Sequence, residues 1–178
     1  TYCYKNNCSS DTSKMYGRYY TWAAVMDSAA VYSSDGAGCG YKKTNCGAQN
    51  PVRGICPSGW RLPNENDWRA LATAMGGTST AGKLLKSKTG WDSYTDIVGG
   101  VIDGNGLDSA TFSAYPAGYR YTNGTFNYVK TEGEFWFLGY SSSGELLAYV
   151  WGFNNKADNV SSHSTYAYIG FTVRCVKD

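Results

Sequence analysis

The chain has 178 residues, with 17% charged side chains and a formal net charge of +2. That balance, with no Lys/Arg cluster, excludes nucleic acid as a partner, and no stretch is long and apolar enough to span a membrane. The length suits one domain, residues 1–178, with a core of its own. Aromatic residues make up 16%, with 16 tyrosines, and glycine numbers 22; this composition fits a β-rich extracellular module and argues against disorder.

Residues 1–20 carry Cys3 and Cys8 and no strong periodicity. From Trp22 the apolar positions Trp22, Val25, Met26 and Ala29 follow helical spacing, which predicts a helix near 21–31. Residues 33–56 read as a glycine-rich loop holding Cys39 and Cys46. A second helix is marked by Asn64 as cap, Asp67 three residues later, and an apolar face of Trp68, Leu71, Ala72 and Met75, ending at Gly76-Gly77. A short helical turn is expected at Ala81–Lys86. Trp22, Trp60, Trp68 and Trp91 are expected in the core.

Beyond Trp91 strands dominate. Asn123-Gly124, between Tyr119-Arg120-Tyr121 and Thr125-Phe126-Asn127-Tyr128, is a hairpin signal. Phe135–Leu138, Leu146–Phe153 and Tyr166–Val176 read as further strands, and Asn154–Ser164 as a polar loop. In the closing run Ile169, Phe171, Val173 and Cys175 share one side, with Thr172 and Arg174 pointing away. Helices first and antiparallel strands after make the fold class α+β.

The six cysteines, even in number and without a CxxC pair, point to structural disulfides and an oxidising compartment. Six cysteines allow about 15 pairings. The preferred set joins Cys3 with Cys8, Cys39 with Cys46, and Cys56 with Cys175, tying the end of the domain to its middle. The absence of a signal segment before Thr1 is read as the mark of a processed or excised piece.

Three stretches, YGRYYTWAAVMDSA, VRGICPSGWRLPNENDW and FSAYPAGYR, closed by GFTVRCVKD, resemble the Fibrobacter succinogenes major paralogous (FISUMP) domain over residues 16–178. The resemblance implies a secreted or lipoprotein-anchored surface protein of an anaerobic bacterium. RLPNENDW is also similar to the RLPTEAEW segment of formylglycine-generating enzymes, which implies a C-type-lectin-like architecture. Their chemistry does not carry over, because it uses a reactive cysteine pair late in the chain and only Cys175 is late here. Two features depart from the family pattern. The opening strand segment that precedes the first cysteine is absent, and FWFLGYSSS stands where many members have FWSST.

No catalytic constellation is expected. His163, the sole histidine, reads as an exposed loop residue among serines rather than a triad member with Ser161 or Ser164. Asp103, Asn105 and Asp108, in a glycine-rich turn, read first as an Asx-rich turn bonded to its own backbone, with a calcium ion as the alternative they would suit. The aromatic stock carries the candidate ligand site. Trp136, Tyr140, Tyr149 and Trp151, with Tyr166 and Tyr168 further on, lie on or beside predicted strands, and Asn154 and Asn155 follow Trp151 with amides for sugar hydroxyls. The alternative for Trp136 and Trp151 is core. Ser28 and Ser109 fit a bacterial Asp-Ser-apolar O-glycan pattern; Asn123 and Asn159 fit the N-glycan sequon. The expected function is non-catalytic binding or adhesion at a bacterial surface, to polysaccharide or protein. The alternative is a structural subunit that self-assembles in a surface assembly or filament. Contact is expected over Phe135–Ser143 and Trp151–Asn159.

Overall fold

The computed structural model describes residues 1–40, 46–48, 50–140 and 146–178. It is an α+β fold. Helix α1 (Asp11–Tyr16) follows the Cys3–Cys8 bridge, and α2 (Trp22–Val25) is a single turn. The helix predicted over 21–31 stops early because Asp27 adopts a φ of 53°. Its buried carboxylate accepts the N–H groups of Val31, Tyr32 and Ser33 at 3.1, 2.5 and 2.7 Å. A short acidic side chain here outcompetes the helix for the backbone donors.

Strand β1 (Trp60–Arg61) leads into α3 (Glu65–Ala74), which is built as its cap predicts. Asn64 Oδ1 accepts from the Asn66 and Asp67 N–H groups at 2.9 and 3.2 Å, and Asp67 Oδ2 accepts from Asn64 N–H at 2.8 Å. Asp67 also receives both terminal nitrogens of Arg61, at 2.6 and 2.8 Å. That fork holds its carboxyl below the usual range and locks the entry angle of the helix. Helix α3 ends at the glycine pair, Gly76 at φ 83°, and α4 (Thr78–Leu85) follows.

Two short hairpins come next, β2 (Tyr94–Thr95) with β3 (Val101–Ile102) and β4 (Tyr119–Arg120) with β5 (Phe126–Asn127). The second turns at Asn123-Gly124 as expected, with Gly124 at φ 90°. The main sheet has the order β8-β7-β6-β9. Strands β6 (Glu132–Tyr140) and β7 (Leu146–Asn154) pair antiparallel along their full length, and β8 (Val160–Ser164) adds antiparallel to β7. Strand β9 (Thr172–Val173) joins β6 in parallel, and β10 (Val176–Lys177) returns to β1. The strand expected over Tyr166–Val176 is therefore broken into two short pieces. Thr172 points inward, donating its hydroxyl to the Glu134 carbonyl at 2.8 Å.

The apolar part of the sheet is covered on both faces, which explains the near-continuous apolar run of β6. One face presents Phe135, Phe137, Trp151 and Phe153 to Trp68, Ala72, Ala81 and Leu85 of α3 and α4. The other presents Trp136, Leu138, Ala148 and Val150 to Trp22, Met26, Val52 and Leu62. Trp22, Trp68 and Trp91 are core, as expected, whereas Trp60 is exposed on β1 at the chain-end pairing. All three expected disulfides are present. Cys56 is buried in the second layer, with half-buried Cys175 packed against it.

Candidate functional site

The face of the sheet that carries Trp136 is apolar along only part of its length. Register places Glu134, Gly152 and Ser161 side by side on β6, β7 and β8, with Glu132 opposite Asn154 and His163 opposite Val150. Residues directly opposite in antiparallel pairs share a face. The row Glu132, Glu134, Trp136, Leu138 therefore begins polar and ends apolar. The second core layer covers the apolar half and leaves the polar half as the floor of a groove of about 440 Å³. Gly152 carries no side chain between Glu134 and Ser161, which deepens the floor. The walls are Tyr119 and Tyr128, with ring centroids 5.6 Å apart, and Tyr166, stacked on Tyr168 at 5.1 Å. Tyr128 and Tyr166 are 56% and 66% exposed.

Glu134 is 6% exposed. Among the described residues its ion-pair contact is with His163 Nε2, 3.4 Å from Oε1. Burial, with a smaller push from Glu132, raises the Glu134 carboxyl to about 8; burial also raises Glu132 and lowers His163. All three changes follow from desolvation of the charged form. Lys86 braces one wall. It is buried and donates from Nζ to the carbonyls of Asn154 and Ala157 at 3.0 and 3.1 Å, and burial lowers it to about 8.

Comparison with known proteins decides the family. Residues 1–177 match the Fibrobacter succinogenes major domain. The chain belongs to that family. No curated protein and no solved structure gives a significant match.

In this Fibrobacter succinogenes major domain the candidate ligand residues separate. Trp136 is fully buried between Trp22 and Phe171, with Nε1 donating to the Tyr20 carbonyl at 2.6 Å. Trp151 is buried and stacked on Trp68 at 5.5 Å, so neither indole reaches a ligand. Removing the Trp151 ring is a core deletion that costs about 3–5 kcal/mol. Tyr149 is half-buried against Phe137 on the helix-covered face. Asn155 is buried and donates to the Asp92 carbonyl at 2.9 Å. Tyr140 is partly exposed but lies at the far end of β6, eight residues from Glu132, roughly 26 Å along the strand. Asn154 lines the groove, its Nδ2 3.5 Å from Glu132 Oε1, and Tyr166 of the same aromatic stock stands in its wall. Ser141, Ser142 and Ser143 of the expected contact stretch lie outside the described residues.

The proposed calcium ligands are engaged in separate hydrogen bonds. Asp103 Oδ1 accepts from the Asn105 N–H and Nδ2 at 3.0 and 2.7 Å, and Asn105 Oδ1 accepts from Trp91 N–H at 3.0 Å. The two Asp108 oxygens take the N–H and hydroxyl of Ser113, both at 2.6 Å. The Asp103–Asn105 contact is an Asx turn, and among the described residues no group of three or more acidic, histidine or cysteine side chains is placed to hold a metal ion. Ser28 is half-buried in the turn after α2, and Ser109 is exposed.

Reading along the chain misses the acidic floor and His163, which lies on β8 rather than in a loop. One signal was present. Glu132 and Glu134 sit in phase with Trp136 and Leu138, the two-residue period of an inward face, so a carboxylate there is either paired or functional.

Proposed function

We propose that this chain is a non-catalytic, secreted or surface-displayed binding module that holds a polysaccharide strand in the groove over Glu134. It would do so on a lectin-like α+β scaffold. The carrying observation is the uncovered polar half of the central sheet, floored by Gly152 and walled by the exposed rings of Tyr128 and Tyr166. Exposed phenol rings offer flat apolar faces with a polar tip. Asn154, Ser161 and His163 offer donors and acceptors for hydroxyls. The three disulfides support an extracytoplasmic place, since such bridges persist in oxidising compartments. Among the described residues no helix is long and apolar enough to cross a membrane.

Gly152→Val tests the reading directly. A Cβ there would lie 3.7 Å from Glu134 Oε1 and 3.8 Å from Ser161 Oγ, ordinary contacts. The branched side chain suits a strand while filling the floor. In pull-downs on insoluble polysaccharides, wild type is expected to be retained and Gly152→Val to wash through, with matching melting curves. Retention of the variant equal to wild type would remove the groove as the site.

A second reading, a structural subunit of a surface assembly, is favoured by the β2–β3 hairpin, where Ile97, Val98 and Val101 are exposed together. Large exposed apolar patches mark contact surfaces. Sedimentation over a wide concentration range separates the two, since a monomer throughout removes self-assembly.

A further inference from the structure

Charge in the groove is one-sided. Its described lining contains Glu132 and Glu134 and no lysine or arginine. Glu134 is more than nine-tenths buried, and the ion-pair contact its carboxylate makes among the described residues is with His163. His163 Nε2 lies at 3.4 Å, and burial disfavours the charged form of its imidazole. A buried carboxylate that faces one imidazole and no lysine or arginine is costly to ionise. The ligand that relieves that cost is itself a cation. The phenol rings of Tyr119, Tyr128 and Tyr166 turn the argument from a metal to an organic ammonium. Aromatic faces attract a weakly hydrated cation through their quadrupole, whereas a metal ion asks for a cage of oxygens, and the described residues contain no cluster able to hold one.

We propose that the groove is an ammonium site, and that the polysaccharide it takes is a basic amino sugar whose unacetylated amine sits against Glu134 and Glu132 between the tyrosine rings. The sugar part rests on the function proposed above; the cation site does not.

Binding in this geometry moves a proton. With its carboxyl raised to about 8, Glu134 is mostly protonated at neutral pH, and an arriving ammonium draws it to the carboxylate. The proton leaves to solvent. The other titratable groups facing it are Glu132 on the same strand, His163 on β8, Tyr119 on β4, and Tyr128 and Tyr166 in the walls. Affinity for a permanent cation therefore rises with pH, by up to about tenfold per pH unit, until Glu134 is fully ionised.

The test is calorimetry on the full chain with three probes: an unacetylated glucosamine oligomer, its N-acetylated counterpart, and tetramethylammonium, whose charge does not titrate. Near pH 8 the unacetylated oligomer is expected to bind about tenfold or more tighter than the acetylated one. Tetramethylammonium is expected to compete with it, and to bind about fivefold more weakly near pH 7 than near pH 8. Glu134→Gln, checked for folding by its melting curve, is expected to abolish the preference for the amine. Equal binding of the two oligomers overturns the ammonium site and leaves the polysaccharide reading standing. Binding of tetramethylammonium without either oligomer keeps the ammonium site and overturns the polysaccharide reading. Binding of none overturns both.

Discussion

Replacing Cys56 and Cys175 together by alanine is expected to destabilise the domain by about 5 kcal/mol, against about 2 kcal/mol for the Cys3–Cys8 pair. The contrast follows from loop length. The first bridge spans 119 residues and the second spans 5, and cross-linking distant positions removes more freedom from the unfolded chain. The native contacts near the long bridge do not compensate for it. Strands β1 and β10 pair over two residues, Trp60 with Lys177 and Arg61 with Val176, and Trp60 is exposed. Alanine is the better replacement because Cys56 is buried, and a serine hydroxyl there would add a desolvation cost. Urea titration of the two double variants measures the difference. Equal losses would show that the bridge merely decorates an end already fixed by packing.

The features read correctly along the chain are those whose physics is local. The α3 cap needs Asn64 and Asp67 three residues apart, and the β4–β5 turn needs Asn123 beside Gly124; both are built as their spacing predicts. Helix α2 departs from the same kind of reading because one side chain, Asp27, offers the backbone a better partner than the next helical turn. Trp136 and Trp151 mislead for a different reason. Neighbouring aromatics on an edge strand present one exposed face, but β6 and β7 are interior strands whose aromatic stretches are covered on both sides, so every tryptophan and phenylalanine on them is core. The groove is beyond reach from the chain alone. Glu134, Gly152 and Ser161 are far apart in sequence and meet only through the register of three strands, and neither half of that register is written in a short motif.

Glu134→Gln is expected to leave stability nearly unchanged near pH 4 and to raise it by on the order of 4 kcal/mol near pH 8, since each pH unit between the unfolded and folded values is worth about 1.4 kcal/mol. Burial raises the folded-state carboxyl from 4.5 to about 8. Below 4.5 the group is protonated whether the chain is folded or not, and glutamine resembles it. Between 4.5 and about 8 the unfolded chain has released the proton while the folded chain still holds it, so wild-type stability falls as pH rises. Above about 8 both states are ionised and the loss is complete. Glutamine does not titrate, so the two stability curves separate through that window and run parallel beyond it. Denaturation midpoints at intervals from about pH 4 to about pH 9 measure the separation. Parallel curves throughout would mean that Glu134 is solvated and that the floor of the groove is wetter than its geometry implies. A widening gap would show that the fold keeps, at the centre of its main sheet, a carboxylate that an amide would improve. Stability given up at one buried position lining an open groove is what a binding residue costs, and it is the strongest reason to look for the ligand there rather than among the aromatic side chains of β6 and β7.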